Sequence, residues 1–302
     1  MSDVTEHVSL DLPITEWVEA ARADPVRYRS RQVTHVLLAA IGLTPELRDS
    51  MILKGGALMM LGYDSPRGTQ DVDFSINAHP EPFTSQIEEM LNPAMARASA
   101  SLGYVTLVTR VQKLKKRPKP SLFEEADGPA LSITIAYAIR GSKDEARLTA
   151  GQCIQVLQVD LSFKEPLNNI SSHNLDSTKI AINAYSLEDL MAEKIRSLLQ
   201  QTDRDRFRRQ DVYDISWLSE NSDYSDDIKL KILTSLISKS HVKEIYPDIN
   251  SIDDPDIASR SKRNWHTLQD ELPYELPSFN DCFEKTRVFY KSLPWPNPDN
   301  AV

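Results

Sequence analysis

Two glycines connect a short apolar run to a helix-like segment near residue 55, and this junction restricts how the first half of the chain can fold. The apolar run 51–53 leads through Lys54, Gly55 and Gly56 into the apolar segment 57–61, and a β-type run follows at 72–76. Glycine permits a close approach of the backbone to a neighbour, which a side chain would prevent. We therefore expect a strand, a turn at the glycines, a helix that ends at Gly62, and a second strand.

The remaining pattern is mixed up to about residues 166–177 and helical after them. Periodicity predicts helices at 14–23, 31–41 and 83–102, with an interruption near Pro93. β-branched and alternating runs predict strands at 104–111, 131–139 and 154–161. Beyond the boundary, helices are predicted at 186–200, 210–218, 227–238 and 279–293, followed by an irregular tail at 294–298.

The sequence therefore predicts an α+β chain with two domains, residues 1–170 and 171–302. Ser186 and Asp189 have the spacing of a capping box at the first helix of the second domain.

Composition excludes several classes of protein. The 302 residues carry 44 acidic and 35 basic side chains, a net charge of −9, and two widely separated cysteines, Cys153 and Cys282. A disulfide scaffold or zinc finger is not expected, and a reducing compartment fits. No apolar run approaches the roughly 20 residues that span a bilayer, and residues 1–13 lack the pattern of a signal peptide. We expect a cytoplasmic protein without a membrane partner.

Asp71 and Asp73 are the first candidates for chemistry. They lie two residues apart on a predicted strand, so both carboxylates project from one side. Two such carboxylates repel each other unless a cation lies between them, and Mg²⁺ prefers hard oxygen ligands. Upstream, a helix that begins at Gly55 and Gly56 would offer backbone N–H groups to the oxygens of a triphosphate. An Asp-x-Asp alone is common at strand ends and a Gly-Gly alone is usually a turn, so the combination carries the hypothesis.

The pattern at residues 53–58, followed by Arg67, Thr69, Asp71, Asp73 and Phe74, resembles the first motif of the AbiEii/AbiGii nucleotidyltransferase toxins, a group that includes the MenT-like toxins. The resemblance covers residues 52–218. It implies a DNA polymerase β-like nucleotidyltransferase domain with a mixed sheet, followed by a mostly helical domain that closes a cleft. The wider superfamily usually has Gly-Ser where this chain has Gly55-Gly56, so phosphate contacts would depend more on backbone amides and on Lys54.

The resemblance also implies a third carboxylate on a neighbouring strand, for which Asp160 is the candidate. Asp71, Asp73 and Asp160 would then hold Mg²⁺, with two ions expected, and the nucleotide would contact Lys54, Gly55, Gly56, Arg67 and Thr69. The alternative for Asp160 is a strand-end aspartate that faces water.

A second cluster, Lys194 with Asp211 and Asp214, resembles the helical motif of the same family. Lys194 would neutralise a nucleotide phosphate, or its stem would only cover the edge of the core. Asp211 matches the essential aspartate of the family better and would organise Lys194 or the incoming hydroxyl, or act as the base for that hydroxyl. Asp214 is expected to pair with Arg208 or Arg209.

A basic run that includes Lys113, Lys115, Lys116, Arg117 and Lys119 is expected to form a solvated hairpin or a projecting loop between two strands. The alternative is an arm that tracks RNA phosphates beside the active site.

The resemblance implies a toxin of a toxin–antitoxin or abortive-infection (phage-defence) system that transfers NMP from an NTP to the 3′ end of tRNA. It implies a cognate antitoxin, with a winged-helix regulator as the candidate. Two alternatives stay open: nucleotide transfer to a protein or small-molecule hydroxyl, and a regulatory module that binds NTP without turnover.

Overall fold

The computed structural model describes residues 11–176 and 178–296 of the chain. The predictions for residues 1–10 and for the end of the tail lie outside this part. The described residues form two compact units. The first comprises the chain up to residue 62 together with 69–165 and 171–184, and the second comprises 63–68, 166–170 and 185 onward.

A mixed eight-stranded sheet is the centre of the first unit. Its strands are β1 (Asp11–Leu12), β2 (Met51–Lys54), β3 (Asp71–Ile76), β4 (Leu107–Arg117), β5 (Ala130–Ile139), β6 (Val156–Phe163), β7 (Ile170–Leu175) and β8 (Ala181–Tyr185). The order across the sheet is β1-β7-β8-β2-β3-β6-β5-β4. Strand β3 runs antiparallel to β2 and parallel to β6, and the pairs β6–β5 and β5–β4 are antiparallel. The predicted α+β class is confirmed.

Six helices are described in the first unit: α1 (Ile14–Glu19), α2 (Pro25–Gly42), α3 (Pro45–Ser50), α4 (Gly55–Gly62), α5 (Pro80–Ser101) and α6 (Lys143–Thr149). The predicted interruption of α5 at Pro93 is wrong. Proline removes one hydrogen bond to the carbonyl four residues earlier, but that carbonyl belongs to the exposed Glu89. The buried face of α5, with Ile87, Leu91 and Met95, keeps the helix continuous.

The second unit contains the helices α7 (Leu187–Leu199), α8 (Arg209–Asn221), α9 (Asp226–His241), α10 (Pro255–Lys262) and α11 (Phe279–Lys291). Ser186 caps α7 by accepting from the N–H of Asp189 at 3.3 Å. The capping box is incomplete, because the N–H of Ser186 donates to the carbonyl of Asn169 and not to Asp189. Helix α10 has no counterpart among the predicted helices.

The predicted domain boundary after residue 170 is too early. Strands β7 and β8 follow it, and residues 171–184 belong to the first unit. The buried positions of β7 include Ser171 and His173, so its sequence lacks the apolar alternation by which a strand is normally recognised.

Neither described cysteine forms a disulfide, and both are buried. None of the helices in the described part of the chain has the length and apolar character needed to cross a bilayer.

A buried polar network connects residues 166–170 to α7 and α9. Asp189 and Lys239 lie 3.3 Å apart with 0% and 2% of their side chains exposed. Asp189 also accepts from Ser235 Oγ at 2.6 Å and from the N–H of Asn168 at 3.1 Å, and Lys239 Nζ donates to the carbonyl of Pro166 at 2.7 Å. Each buried charge thus has the partners that compensate its loss of water.

We expect Lys239→Ala to lower the free energy of unfolding by about 3–5 kcal/mol, because it leaves Asp189 as an uncompensated buried charge. Urea unfolding followed by circular dichroism measures the change. Lys231→Ala is the matched control on the same helix: Lys231 pairs with Asp227 at 2.8 Å with exposed fractions of 32% and 68%, and its loss should cost less than about 1 kcal/mol. Equal effects of the two substitutions would contradict a structural role for the buried pair.

Candidate active site

Three acidic side chains occupy neighbouring positions on one face of the sheet in the first unit. Asp71 and Asp73 are two residues apart on β3, and Asp160 on β6 pairs directly with Asp73 in the parallel ladder. Side chains alternate along a strand, and directly paired residues of adjacent strands project to the same side. The register therefore places the three carboxylates on a common face.

Hydroxyl and guanidinium groups hold two of these acids. Thr69 Oγ1 donates to Asp71 Oδ1 at 2.5 Å. Asp160 Oδ1 accepts from Ser132 Oγ at 2.5 Å and from Arg117 Nη2 at 3.1 Å. In the described residues, no three His, Cys, Asp or Glu side chains are grouped closely enough to hold a metal ion by themselves.

The glycine pair brings Asp73 and Thr69 against the start of α4. Gly55 is the first residue of α4 and has φ +68°, and a Cβ added there would collide with Asp73 Oδ2. A Cβ at Gly56 would lie 2.9 Å from Thr69 Oγ1. Gly55, in this left-handed conformation, thus turns the chain from β2 into α4, and Gly56 lies in the first turn of the helix. They leave room for a carboxylate beside backbone N–H groups that favour negative charge.

This donor set fits a divalent cation. Mg²⁺ prefers oxygen ligands and usually completes its coordination with waters and substrate phosphates, so it does not require a closed protein cage. The carboxylate of Asp73 in the space that Gly55 leaves open, with Asp71 and Asp160 on the same face, provides such oxygens.

Lys54 is an ion-pair partner within the first unit. It is 7% exposed, and its Nζ donates to Glu165 Oε2, which also accepts from Ser75 Oγ. Glu165 is the counter-ion that the buried ammonium of Lys54 requires. If Lys54 contacts a nucleotide, as expected from the sequence, its ammonium has to be shared between the nucleotide and Glu165. A lone glutamate after a strand has no distinctive spacing, so no sequence signal identifies Glu165 as the partner of Lys54.

Arg67, Lys194 and Asp214 form a buried ion-pair cluster in the second unit. Arg67 binds Asp214 through two parallel hydrogen bonds, Nε to Oδ1 at 2.8 Å and Nη2 to Oδ2 at 2.9 Å. Its Nη1 donates to Glu271 Oε2 at 2.7 Å, and Lys194 Nζ donates to Asp214 Oδ2 at 2.5 Å. The expectation that Asp214 pairs with Arg208 or Arg209 is wrong: its partners are Arg67 and Lys194.

Asp211 lies at the edge of this cluster. Its carboxylate is 3.7 Å from Lys194 Nζ and 3.7 Å from Arg208 Nη1, and 14% of its side chain is exposed, against 0% for Asp214. Burial raises the pKa of Asp211, against the opposing effects of Lys194 and Arg208. Burial would also raise the pKa of Asp214, but Arg67 and Lys194 outweigh it and hold that pKa at about 2. Opposite shifts in two neighbouring carboxyls are typical of functional sites, although structural ion pairs produce them too.

The basic run lies mainly on strand β4, which pairs antiparallel with the next strand, β5. The expected hairpin is therefore confirmed, and a projecting loop is wrong for Lys113, Lys115, Lys116 and Arg117. Lys113, Lys115 and Arg117 pair with Thr134, Ser132 and Ala130 of β5. Thr134 and Ser132 pair in turn with Gln158 and Asp160, so these three basic side chains share the face of the acids. Lys116 points to the other side, where it binds Glu81. Lys119 follows the strand and is exposed.

The model of the AbiEii nucleotidyl transferase toxin of type IV toxin–antitoxin systems matches residues 36–285. The chain belongs to this family. It is therefore a nucleotidyltransferase and a toxin of a toxin–antitoxin system, which implies a cognate antitoxin. No curated protein sequence matches the chain.

One solved structure, that of MenT4, has the same fold. The nucleotidyltransferase toxin MenT4 from Mycobacterium tuberculosis H37Rv is 12% identical, with a TM-score of 0.56 over 95% of this chain and 91% of that one. JHP933 from Helicobacter pylori is 14% identical, with a TM-score of 0.48 over 86% of this chain and 88% of that one.

We expect Gly55→Ala to reduce nucleotide transfer by at least about 100-fold, because its Cβ would displace the carboxylate of Asp73 and small displacements of reacting groups are costly. Incorporation of label from α-labelled NTPs into a cell extract measures transfer. Gly141→Ala is the control: Gly141 has φ +78° and nothing within 4 Å of an added Cβ, so it reproduces the backbone strain alone. A comparable loss in both variants would show that strain, and not the position of Asp73, is responsible.

We expect Asp214→Asn to lower the free energy of unfolding by about 3–5 kcal/mol at pH 7, because Arg67 and Lys194 would lose the carboxylate they share. The depressed pKa of Asp214 also predicts a pH dependence. Its stabilising effect is present above the ordinary pKa of 3.8 and is lost as the pH falls toward about 2.

Urea unfolding of the wild type and of Asp214→Asn between pH 7 and pH 2 measures these effects. The difference between their free energies of unfolding should shrink below about pH 4. Asp256→Asn is the control, since Asp256 is half-exposed and pairs with Arg260 on the surface of α10. A difference between the wild type and Asp214→Asn that does not change with pH would contradict the ion-pair explanation.

Proposed function

We propose that this toxin transfers a nucleoside monophosphate from an NTP to the hydroxyl at the 3′ end of tRNA, which would block aminoacylation and translation. The observation that carries the proposal is the row of three carboxylates on one face of the sheet, with Asp73 against the first glycine of α4. The basic side chains on the same face favour a polyanionic acceptor over a small molecule.

In this proposal the acids bind the metal ions and the glycines bind the triphosphate. We assign Asp71, Asp73 and Asp160 to divalent cation binding, with two ions expected. Mg²⁺ would neutralise the negative charge that develops on the phosphoryl oxygens. The N–H groups at the start of α4, at Gly55 and Gly56, would receive triphosphate oxygens, and Thr69 would orient Asp71 through its 2.5 Å hydrogen bond.

The reaction is an in-line displacement. The acceptor hydroxyl forms a bond to the α-phosphorus, the bond between that phosphorus and the bridging oxygen breaks, and pyrophosphate leaves. The hydroxyl proton passes to a carboxylate or to water. Positioning and charge neutralisation supply most of the catalysis in such transfers.

In the second unit, we propose that Asp211 is the member of the ion-pair cluster that contacts substrate. It retains 14% exposure, whereas Asp214 is fully buried between Arg67 and Lys194. Arg67 and Asp214 would then hold Lys194 and Asp211 in position. Lys194, with Asp211 at 3.7 Å, stays the candidate for adding positive charge near a phosphate.

Lys113, Lys115 and Arg117 are the candidates for contact with RNA phosphates, since they share the face of the acids, with Lys119 beyond the end of the strand. Lys116 is a weaker candidate because it pairs with Glu81 on the other face. We propose that the toxin acts in the cytoplasm and that its antitoxin is a winged-helix regulator. A role in phage defence through abortive infection follows from the same proposal.

The test is incubation of the protein with each α-labelled NTP, Mg²⁺ and either total tRNA or purified cell proteins. We expect label in tRNA and, by mass spectrometry, an added nucleotide at its 3′ end. Asp73→Asn should reduce incorporation by at least about 10³-fold through loss of charge stabilisation at the phosphoryl group. Asp144→Asn is the control, because Asp144 is an acid of α6 in the same unit whose partner is Arg147.

Label in protein or in a small molecule would overturn the tRNA acceptor. Binding of NTP without any transfer would contradict the whole catalytic proposal and favour a regulatory module. Equal losses in Asp73→Asn and Asp144→Asn would remove the special role of Asp73.

A further inference from the structure

Arg117 reaches across a strand to the third acid of the candidate site. It lies at the end of the edge strand β4, and Asp160 lies on β6, with β5 between them. Nevertheless Arg117 Nη2 is 3.1 Å from Asp160 Oδ1. The residue of β5 that pairs with Arg117 is Ala130, whose methyl side chain leaves space for a long side chain above the sheet.

This contact is specific within the basic run. Lys113 and Lys115 share the face of the acids, but neither forms an ion pair with a carboxylate of the described residues, and Lys116 binds Glu81 on the opposite face. Ser132 Oγ binds the same oxygen of Asp160 that Arg117 binds. Asp160 therefore has its own hydroxyl donor and its own cation before any ligand arrives.

We propose that Arg117 is a built-in counter-ion of Asp160 that a divalent cation must displace in order to use this carboxylate. The inference rests on the proposed function of Asp71, Asp73 and Asp160. Arg117 is a positioning residue here, since it acts through Asp160.

The charges explain why the exchange is possible. Three carboxylates on one face repel each other, and a guanidinium beside Asp160 reduces that repulsion when no metal ion is bound. A bound divalent cation supplies the positive charge in its place and repels Arg117. The ion pair is also open to water, with 52% of the Arg117 and 39% of the Asp160 side chain exposed, so it is weak enough to break.

The test measures Mn²⁺ binding by isothermal titration calorimetry, on the full-length protein without nucleotide or RNA. We expect Arg117→Ala to bind Mn²⁺ about threefold to tenfold more tightly than the wild type, because the competing cation is gone. Arg117→Lys keeps the charge on a shorter side chain and should lie between the two.

Arg110→Ala is the matched control. Arg110 is an exposed arginine on the same strand, and it pairs with Ala136, four residues along β5 from Ser132, the partner of Asp160. It therefore lies at least about 13 Å from Asp160 along the strand direction. That distance exceeds the Debye length of about 10 Å at 0.1 M salt. Its removal should change the Mn²⁺ affinity by less than about twofold.

A second measurement is the thermal midpoint of unfolding, first without metal and then with Mn²⁺. Without metal, Arg117→Ala should have a lower thermal midpoint than Arg110→Ala, because the acids repel each other without their counter-ion. The gain in midpoint on adding Mn²⁺ should be larger in Arg117→Ala than in the wild type.

Asp73→Asn separates the two hypotheses. One outcome is that Asp73→Asn weakens Mn²⁺ binding, while Arg117→Ala leaves the Mn²⁺ affinity unchanged or lowers it. That result would overturn the role of Arg117 and leave the acidic site intact. If Asp73→Asn binds Mn²⁺ like the wild type, the acidic site itself fails. Equal tightening in Arg117→Ala and Arg110→Ala would show an effect of total charge and would also overturn the inference.

Discussion

The direct pairing of Asp73 with Asp160 across the parallel β3–β6 ladder is the constraint on which the candidate site depends. The same ladder pairs Val72 with Val159 and Phe74 with Leu161, and these four side chains are at most 2% exposed. A slip of one residue would turn the apolar side chains toward the acidic face and the acids into the core. The packing of one face of the sheet thus sets the positions of the carboxylates on the other.

Buried charges have a different role in the second unit. Two short segments of this unit, residues 63–68 and 166–170, are separated in sequence from its helices. Arg67 anchors the first segment to Asp214 on α8, while Asp189 on α7 and Lys239 on α9 anchor the second. Buried ion pairs contribute little net stability compared with apolar packing, but they are costly to break. They therefore suit the task of holding irregular chain segments in one arrangement.

Most strands of the sheet and the acidic residues of the candidate site could be predicted from the sequence. The strands that could not be predicted were missed for physical reasons. The apolar run before Gly55 and the runs around Phe74, Ile135 and Val159 identified β2, β3, β5 and β6, because burial enforces their pattern. Strand β7 escaped detection because serine and histidine occupy buried positions.

The C-terminal half of β4 was missed for a different reason, which is that its exposed face is polar. Basic residues fill its exposed face, and an edge strand needs no apolar residues there. Its alternation of Lys113, Lys115 and Arg117 with Leu114 and Lys116 shows the two faces only once the register with β5 is known. The pairing of Arg117 with Asp160 depends on that register, so no pattern in the sequence could have revealed it.

The first motif illustrates why a motif does not assign roles by itself. Arg67 and Thr69 are two residues apart, yet Arg67 belongs to the second unit and Thr69 to the first. Arg67 places its guanidinium on Asp214 and Glu271, where 7% of it is exposed, whereas Thr69 orients Asp71. A guanidinium that already binds two carboxylates would have to give up a buried bidentate pair to contact a phosphate. The energetic cost of that exchange favours a structural role for Arg67, and the proposed nucleotide chemistry of the motif then depends on Gly55, Asp71 and Asp73.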